Sequence, residues 1–182
     1  MRMLVRICDC DQMTLQKKIE QIYEEYHTLD KIDEMSAYGD RMALESEATL
    51  TVYTEQDAQR ACKRLLPYIK DQVVVEIGAG VGLLATEMAK YADTVIAIDL
   101  FPAWAYCYVT YLHRNHPSNL VYMFGDAKKI RPLDADVAVY LTHSGHETFE
   151  RLARRHTRRL GWICDYYNEW PEQDEDLHEG GK

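Results

Sequence analysis

Residues 73–82 read VVVEIGAGVG, and Asp99 closes the apolar run VIAID 17 positions after Gly82. A β-branched run that stops at Glu-Ile-Gly-Ala-Gly-Val-Gly describes a buried strand entering a tight turn and then a helix. Glycine at 78, 80 and 82 removes the Cβ where the chain must take positive φ, so a polar ligand can approach the backbone N–H groups that open the next helix. Asp99 ends the following strand at the same edge of the sheet. A carboxylate there can accept hydrogen bonds from the two hydroxyls of a ribose. The chemistry implied is the holding of a nucleoside-bearing ligand across a glycine turn.

The spacing narrows the ligand. A dinucleotide turn has the pattern G-x-G-x-x-G, whose third glycine would fall at position 83, but Leu83 stands there and the third glycine is Gly82. Counted from Glu76 the pattern is E-x-G-x-G-x-G, and here the chain resembles the Rossmann-like (class I) S-adenosylmethionine-dependent methyltransferases. Asp99-Leu100-Phe101-Pro102, followed by a helix to position 115, is similar to the acidic ribose-binding motif of that family. NLVYMFGDA, residues 119–127, is similar to its third strand and adenine-binding turn.

The resemblance covers residues 54–167. It implies an α/β fold in three layers, a parallel sheet with helices on both faces, and S-adenosyl-L-methionine as the cofactor. Glu76, Gly78, Ala79, Gly80 and Gly82 would then face the methionine portion, Asp99 the ribose and Leu100 the adenine face. Asp126 would accept from the exocyclic amino group, and the Ala127 N–H would reach a ring nitrogen. Plainer readings stand beside these: a ligand-free glycine turn, and a helix cap at Asp126. The implied activity is methyl transfer to an unidentified acceptor. One alternative is a non-catalytic module or partner subunit that binds S-adenosylmethionine or S-adenosylhomocysteine. Another is an NAD(P)-dependent oxidoreductase, against which Leu83, Glu76 and the Gly125-Asp126-Ala127 turn all count.

A catalytic group is harder to name. The reacting region should follow the fourth strand, at Leu141-Thr142-His143-Ser144-Gly145-His146, where His143 is a candidate base or acceptor-orienting group because imidazole titrates near neutrality. The sequence there is not the Asn-Pro-Pro-Tyr of enzymes that methylate amino groups of bases. Thr54 is either an N-cap bonded to the Asp57 N–H or a contact to the cofactor carboxylate. Cys8-x-Cys10 lacks a second ligand pair at metal spacing, so no metal site is expected.

The elements that must position these residues follow from patterning. Leu15, Ile19, Ile22, Tyr23 and Tyr26 mark a helix over 12–27, outside the common core of the family, and residues 1–53 read as an N-terminal helical extension. Ala58, Ala61, Cys62, Leu65, Leu66 and Ile69 mark a second helix. Strands and helices then alternate at 73–77, 81–91, 95–99, 102–115, 120–124, 136–141, 146–159 and 161–167, within a cofactor-binding domain of residues 54–168. Residues 169–182 carry six acids and almost nothing apolar, and read as a mobile tail. The usual last two strands of the family are then missing, and the fifth strand would be an edge for the N-terminal helices, the tail or a second copy to cover. Aromatics on most sides of the 102–115 helix (Phe101, Trp104, Tyr106, Tyr108, Tyr111) also suggest a homodimer.

Composition bounds the partners. In 182 residues with a net charge of −9, a general positive field for nucleic acid is excluded, leaving only the local set Arg151, Arg154, Arg155, Arg158 and Arg159. These flank the stripe Phe149, Leu152, Ala153, His156 and Leu160, and their plain reading is a solvated helix face. Five scattered cysteines suit a reducing compartment. With no signal or spanning segment in the sequence, a cytoplasmic protein is expected.

Overall fold

The structure is a computed structural model and describes residues 55–100, 104–105, 108–109, 116–140, 146–165 and 171–173. The predicted helix over 12–27, Thr54 and His143 lie outside them. The described chain opens with α1 (Glu55–Ile69), whose positions Ala58, Ala61, Cys62, Leu65 and Ile69 are all buried, as their helical spacing requires. Glu55 and Asp57 favour its first turn through the helix dipole. Then come β1 (Val73–Ile77), α2 (Leu83–Met88), β2 (Thr94–Asp99), β3 (Leu120–Phe124), β4 (Ala135–Tyr140), α3 (His146–His156), β5 (Thr157–Asp165) and β6 (Pro171–Gln173).

The strands form one sheet in the order β3-β2-β1-β4-β5-β6. The first five are parallel. Strand alternation divides the core in two. Val74, Val95, Ala97, Leu120, Val137 and Val139 meet α1, α2, Trp104 and Tyr108 on one face. Val75, Ile77, Ile98, Ala138 and Tyr140 meet Phe149, Leu152 and Ala153 of α3 on the other. This is the expected three-layer α/β arrangement, with the direction of strand order reversing between β1 and β4. Ligands of such sheets bind at the carboxyl ends of the strands beside that reversal.

Two differences from the sequence reading bear on the far side of the sheet. Residues 171–173, predicted within a mobile tail, form β6 and pair antiparallel with β5, Trp162 opposite Gln173 and Cys164 opposite Pro171. The sheet therefore does not stop at its fifth strand. Backbone pairing needs no apolar side chain on the added strand, so acidic composition does not forbid it. Trp104 and Tyr108 are likewise buried in the chain's own core.

The second difference is at α3, which ends at His156 instead of near 159. β5 starts at once, and between the pairs Ala135–Thr157 and Val137–Trp162 it carries three more residues than β4. The bulge puts Leu160 at φ 67 and leaves it 60% exposed, off the stripe predicted for it. Gly161 closes the bulge where an added Cβ would lie 2.8 Å from the Asp136 carbonyl oxygen and 2.9 Å from that of Arg158. Backbone on two sides cannot give way as a flexible side chain can. Gly161→Ala is expected to lower unfolding free energy by at least about 2 kcal/mol in denaturant titration; a change within 0.5 kcal/mol, the range of neutral surface substitutions, would contradict this packing.

Candidate cofactor site

The turn between β1 and α2 is built as its glycines suggested. Gly78, Gly80 and Gly82 take φ of 76°, 56° and 79°. Their reasons differ. A Cβ on Gly78 would sit 2.8 Å from the Phe149 ring, and one on Gly82 3.1 Å from the Tyr108 ring, so these two are required by internal packing. Among the described residues, Gly80 has nothing within 4 Å of that position, and neither has Gly125. Open space therefore adjoins Gly80 and Gly125.

The donors of the turn are already paired. Gly78 and Ala79 N–H both donate to the Ile98 carbonyl, at 2.9 and 3.1 Å, and Gly82 N–H donates to the Ala79 carbonyl at 2.9 Å. Gly80 N–H donates to Asp99 Oδ2 at 2.7 Å. The turn folds so closely over the end of β2 that β2 takes three of these amides, and the turn itself takes the fourth. The α2 helix, six residues long, offers no anion site of its own.

Acidic groups dominate instead. Glu76 on β1 is 2% exposed and Asp99 8%. The Glu76 carboxylate accepts from the Ala85 N–H in the first turn of α2, a helix whose N-cap, Gly82, has no side chain to do so. Its Oε2 is buried with no hydrogen-bond partner among the described residues. Burial first, and the nearby Asp99 second, push the Glu76 carboxyl up to about 8.

No model of a known family matches the chain, and no curated protein matches its sequence. Solved structures do. M. jannaschii TYW2 in complex with AdoMet matches with a TM-score of 0.53 and 19% identity over 61% of this chain and 52% of that one. The precorrin-6y C5,15-methyltransferase of Geobacter metallireducens GS-15 gives 0.52 and 17% over 66% and 65%. Phosphoethanolamine N-methyltransferase 1 of Haemonchus contortus, in complex with phosphoethanolamine and S-adenosylhomocysteine, gives 0.51 and 20% over 84% and 33%. The chain has the Rossmann-like fold of the class I methyltransferases. It spans between a third and two thirds of the length of these three proteins.

Within this methyltransferase fold the predicted residues gather at one end of the sheet. Asp99 and Phe124 are opposite each other at the ends of β2 and β3, and Gly125 N–H donates to the Asp99 carbonyl at 2.8 Å. That bond joins the Gly125-Asp126-Ala127 turn to the acid. Leu100 and Phe124 are 41% and 49% exposed, two apolar side chains at the strand ends. Asp126 Oδ1 accepts from the Lys128 N–H at 2.9 Å, an Asx turn with no helix behind it for Asp126 to cap. Ala127 is buried.

One residue at the site was not anticipated. Tyr122 of β3 donates its hydroxyl to the Gly80 carbonyl at 2.5 Å and stacks on Tyr108 with ring centroids 4.1 Å apart. Strand alternation gives the signal: Tyr122, Leu120 and Phe124 share a face, the face of Ala97 and Asp99 on the paired strand. Among the described residues no group of three or more His, Cys, Asp and Glu is arranged to hold a metal. No helix among them is long and apolar enough to cross a membrane.

Glu76 sets the pH dependence of this site. Its folded carboxyl lies above the ordinary value of 4.5, so the native state holds a proton that the unfolded chain releases. The resulting stability is complete below about 4.5 and is lost as pH rises through about 8. Glu76→Gln keeps an acceptor for Ala85 and cannot ionise. Thermal midpoints measured across that window should decline less in Glu76→Gln than in the parent; parallel profiles would contradict a protonated Glu76.

Proposed function

We propose that this chain is a cytoplasmic methyltransferase that binds S-adenosyl-L-methionine and passes its methyl group to an acceptor still to be identified. The observation that supports this most is the conjunction of two buried acids, Glu76 and Asp99, with a glycine turn whose Gly78, Ala79, Gly80 and Gly82 amides are already paired. A dinucleotide brings a pyrophosphate, which needs donors and positive potential. S-adenosylmethionine brings an ammonium and a sulfonium. A buried carboxylate oxygen without a donor is costly, and an ammonium beside Glu76 Oε2 would relieve that cost.

The ribose and adenine contacts then have a physical basis. A carboxylate accepts up to about four hydrogen bonds, so the bond from Gly80 to Asp99 is compatible with ribose hydroxyls on the same group. The open space at Gly80 and Gly125 leaves room along the turn for the cofactor, with Leu100 against the adenine face and Asp126 and Ala127 at its edge. When bound, the cofactor supplies an activated methyl group. Transfer from a sulfonium is a direct displacement, so the protein's task is to align the acceptor and exclude water. His143, after β4, is our candidate for removing a proton where the acceptor carries one.

Ligand-dependent stability tests the reading. S-adenosylmethionine and S-adenosylhomocysteine should raise the thermal midpoint, and NAD and NADP should not, because only a ligand that prefers the native state shifts the equilibrium. Equal stabilisation by NAD would overturn it. Asp99→Ala should weaken S-adenosylhomocysteine binding by roughly 1.5–3 kcal/mol, the range for hydrogen bonds to a charged group. Unchanged calorimetric affinity would reduce Asp99 to a clasp for Gly80.

A further inference from the structure

The ten residues between β3 and β4 form no regular element, yet their carbonyls are held from outside. His156 Nε2 lies 2.9 Å from the Ala127 carbonyl oxygen. Arg155 Nη2 donates to the Ile130 carbonyl at 3.1 Å, and Arg158 Nε donates to that of Asp134 at 2.5 Å. Arg158 also pairs with Asp136 at 2.7 Å. The arginine-rich run that a sequence offers as a solvated face is thus, in part, a row of donors clamping a connection.

His156 is the buried member of that row. It is fully buried, and its Nδ1 has no partner among the described residues. A carbonyl can only accept, so Nε2 carries a proton. Burial, the largest cause, together with the nearby Arg155, pushes its protonation to lower pH, and the bond to Ala127 opposes this.

The Ala127 carbonyl and the Lys128 N–H belong to one rigid peptide plane. His156 grips the oxygen end of that plane, and Asp126 Oδ1 accepts from its nitrogen end at 2.9 Å. Turning the plane would move both partners. The orientation of the Asp126 carboxylate is therefore tied, through one planar unit, to a ring at the far end of α3. We propose that His156 is a positioning residue for base selection: by fixing the 127–128 peptide it aims the Asp126 carboxylate at the edge of an adenine. This rests on the cofactor reading above. No contact of His156 with the ligand is involved.

Hypoxanthine in place of adenine replaces the exocyclic amino donor with an oxygen, so it mismatches the acceptor Asp126. Calorimetry with S-adenosylhomocysteine and S-inosylhomocysteine reads that discrimination directly. The parent should prefer the adenine ligand by roughly tenfold or more, the equivalent of one hydrogen bond to a charged group. His156→Met, similar in volume but without a donor, should bring the ratio close to one. His156→Gln, which keeps an N–H, should retain it within about threefold. If His156→Met weakens both ligands by the same factor, His156 serves stability alone and the proposal is overturned; a parent that does not discriminate overturns it as well. A parent that binds neither ligand fails the cofactor reading, a distinct result. Should His156→Met not fold, the His156 Nε2–H resonance of the parent decides the question: it should shift on S-adenosylhomocysteine and less on the inosine ligand. A resonance unmoved by S-adenosylhomocysteine would overturn the proposal.

Discussion

A carboxyl group buried at position 76 sets the terms for the rest of the site. Glu76 sits at the end of β1 where a strand of this kind would otherwise continue apolar, and it accepts from the Ala85 N–H of α2. That one acceptor serves the first turn of a short helix with no side-chain cap. The cost is a second carboxylate oxygen with no partner among the described residues and a pKa raised to about 8. Proton or ammonium, something positive belongs beside it.

Asp99 extends the same logic to β2. It takes the Gly80 N–H while Ile98, its neighbour, takes those of Gly78 and Ala79. A turn with the outline of a phosphate loop is thereby filled with its own acceptors. Electrostatics separate the two ligand classes more firmly here than the position of the third glycine does. Tyr122 completes the enclosure from β3 by donating to Gly80 and stacking on Tyr108, against which Gly82 packs.

Legibility in the sequence followed physical range. Strands 73–77 and 120–124 were placed to the residue, because β-branched runs bounded by turns report local structure. The glycines were read correctly as positive-φ positions. Their individual reasons were not, since Phe149 and Tyr108 meet Gly78 and Gly82 from distant segments. The bulge in β5 was hidden because Arg158, Arg159 and Leu160 are good helix formers, and only Gly161 hinted at the break. β6 was missed because an edge strand of three residues is made by backbone pairing, to which composition is blind. His156 was placed on the buried face correctly, but no sequence spacing links it to Ala127.

The central claim is that the ammonium of an adenosine ligand meets Glu76. It is tested most directly by calorimetric titration of the intact protein with S-adenosylhomocysteine at neutral pH in buffers of differing ionisation enthalpy. If the ligand ammonium takes the place of the Glu76 proton, binding will release a proton to the buffer, and the observed heat will vary with the buffer accordingly. Binding heats independent of buffer would contradict the role of Glu76, and the absence of binding would contradict the site.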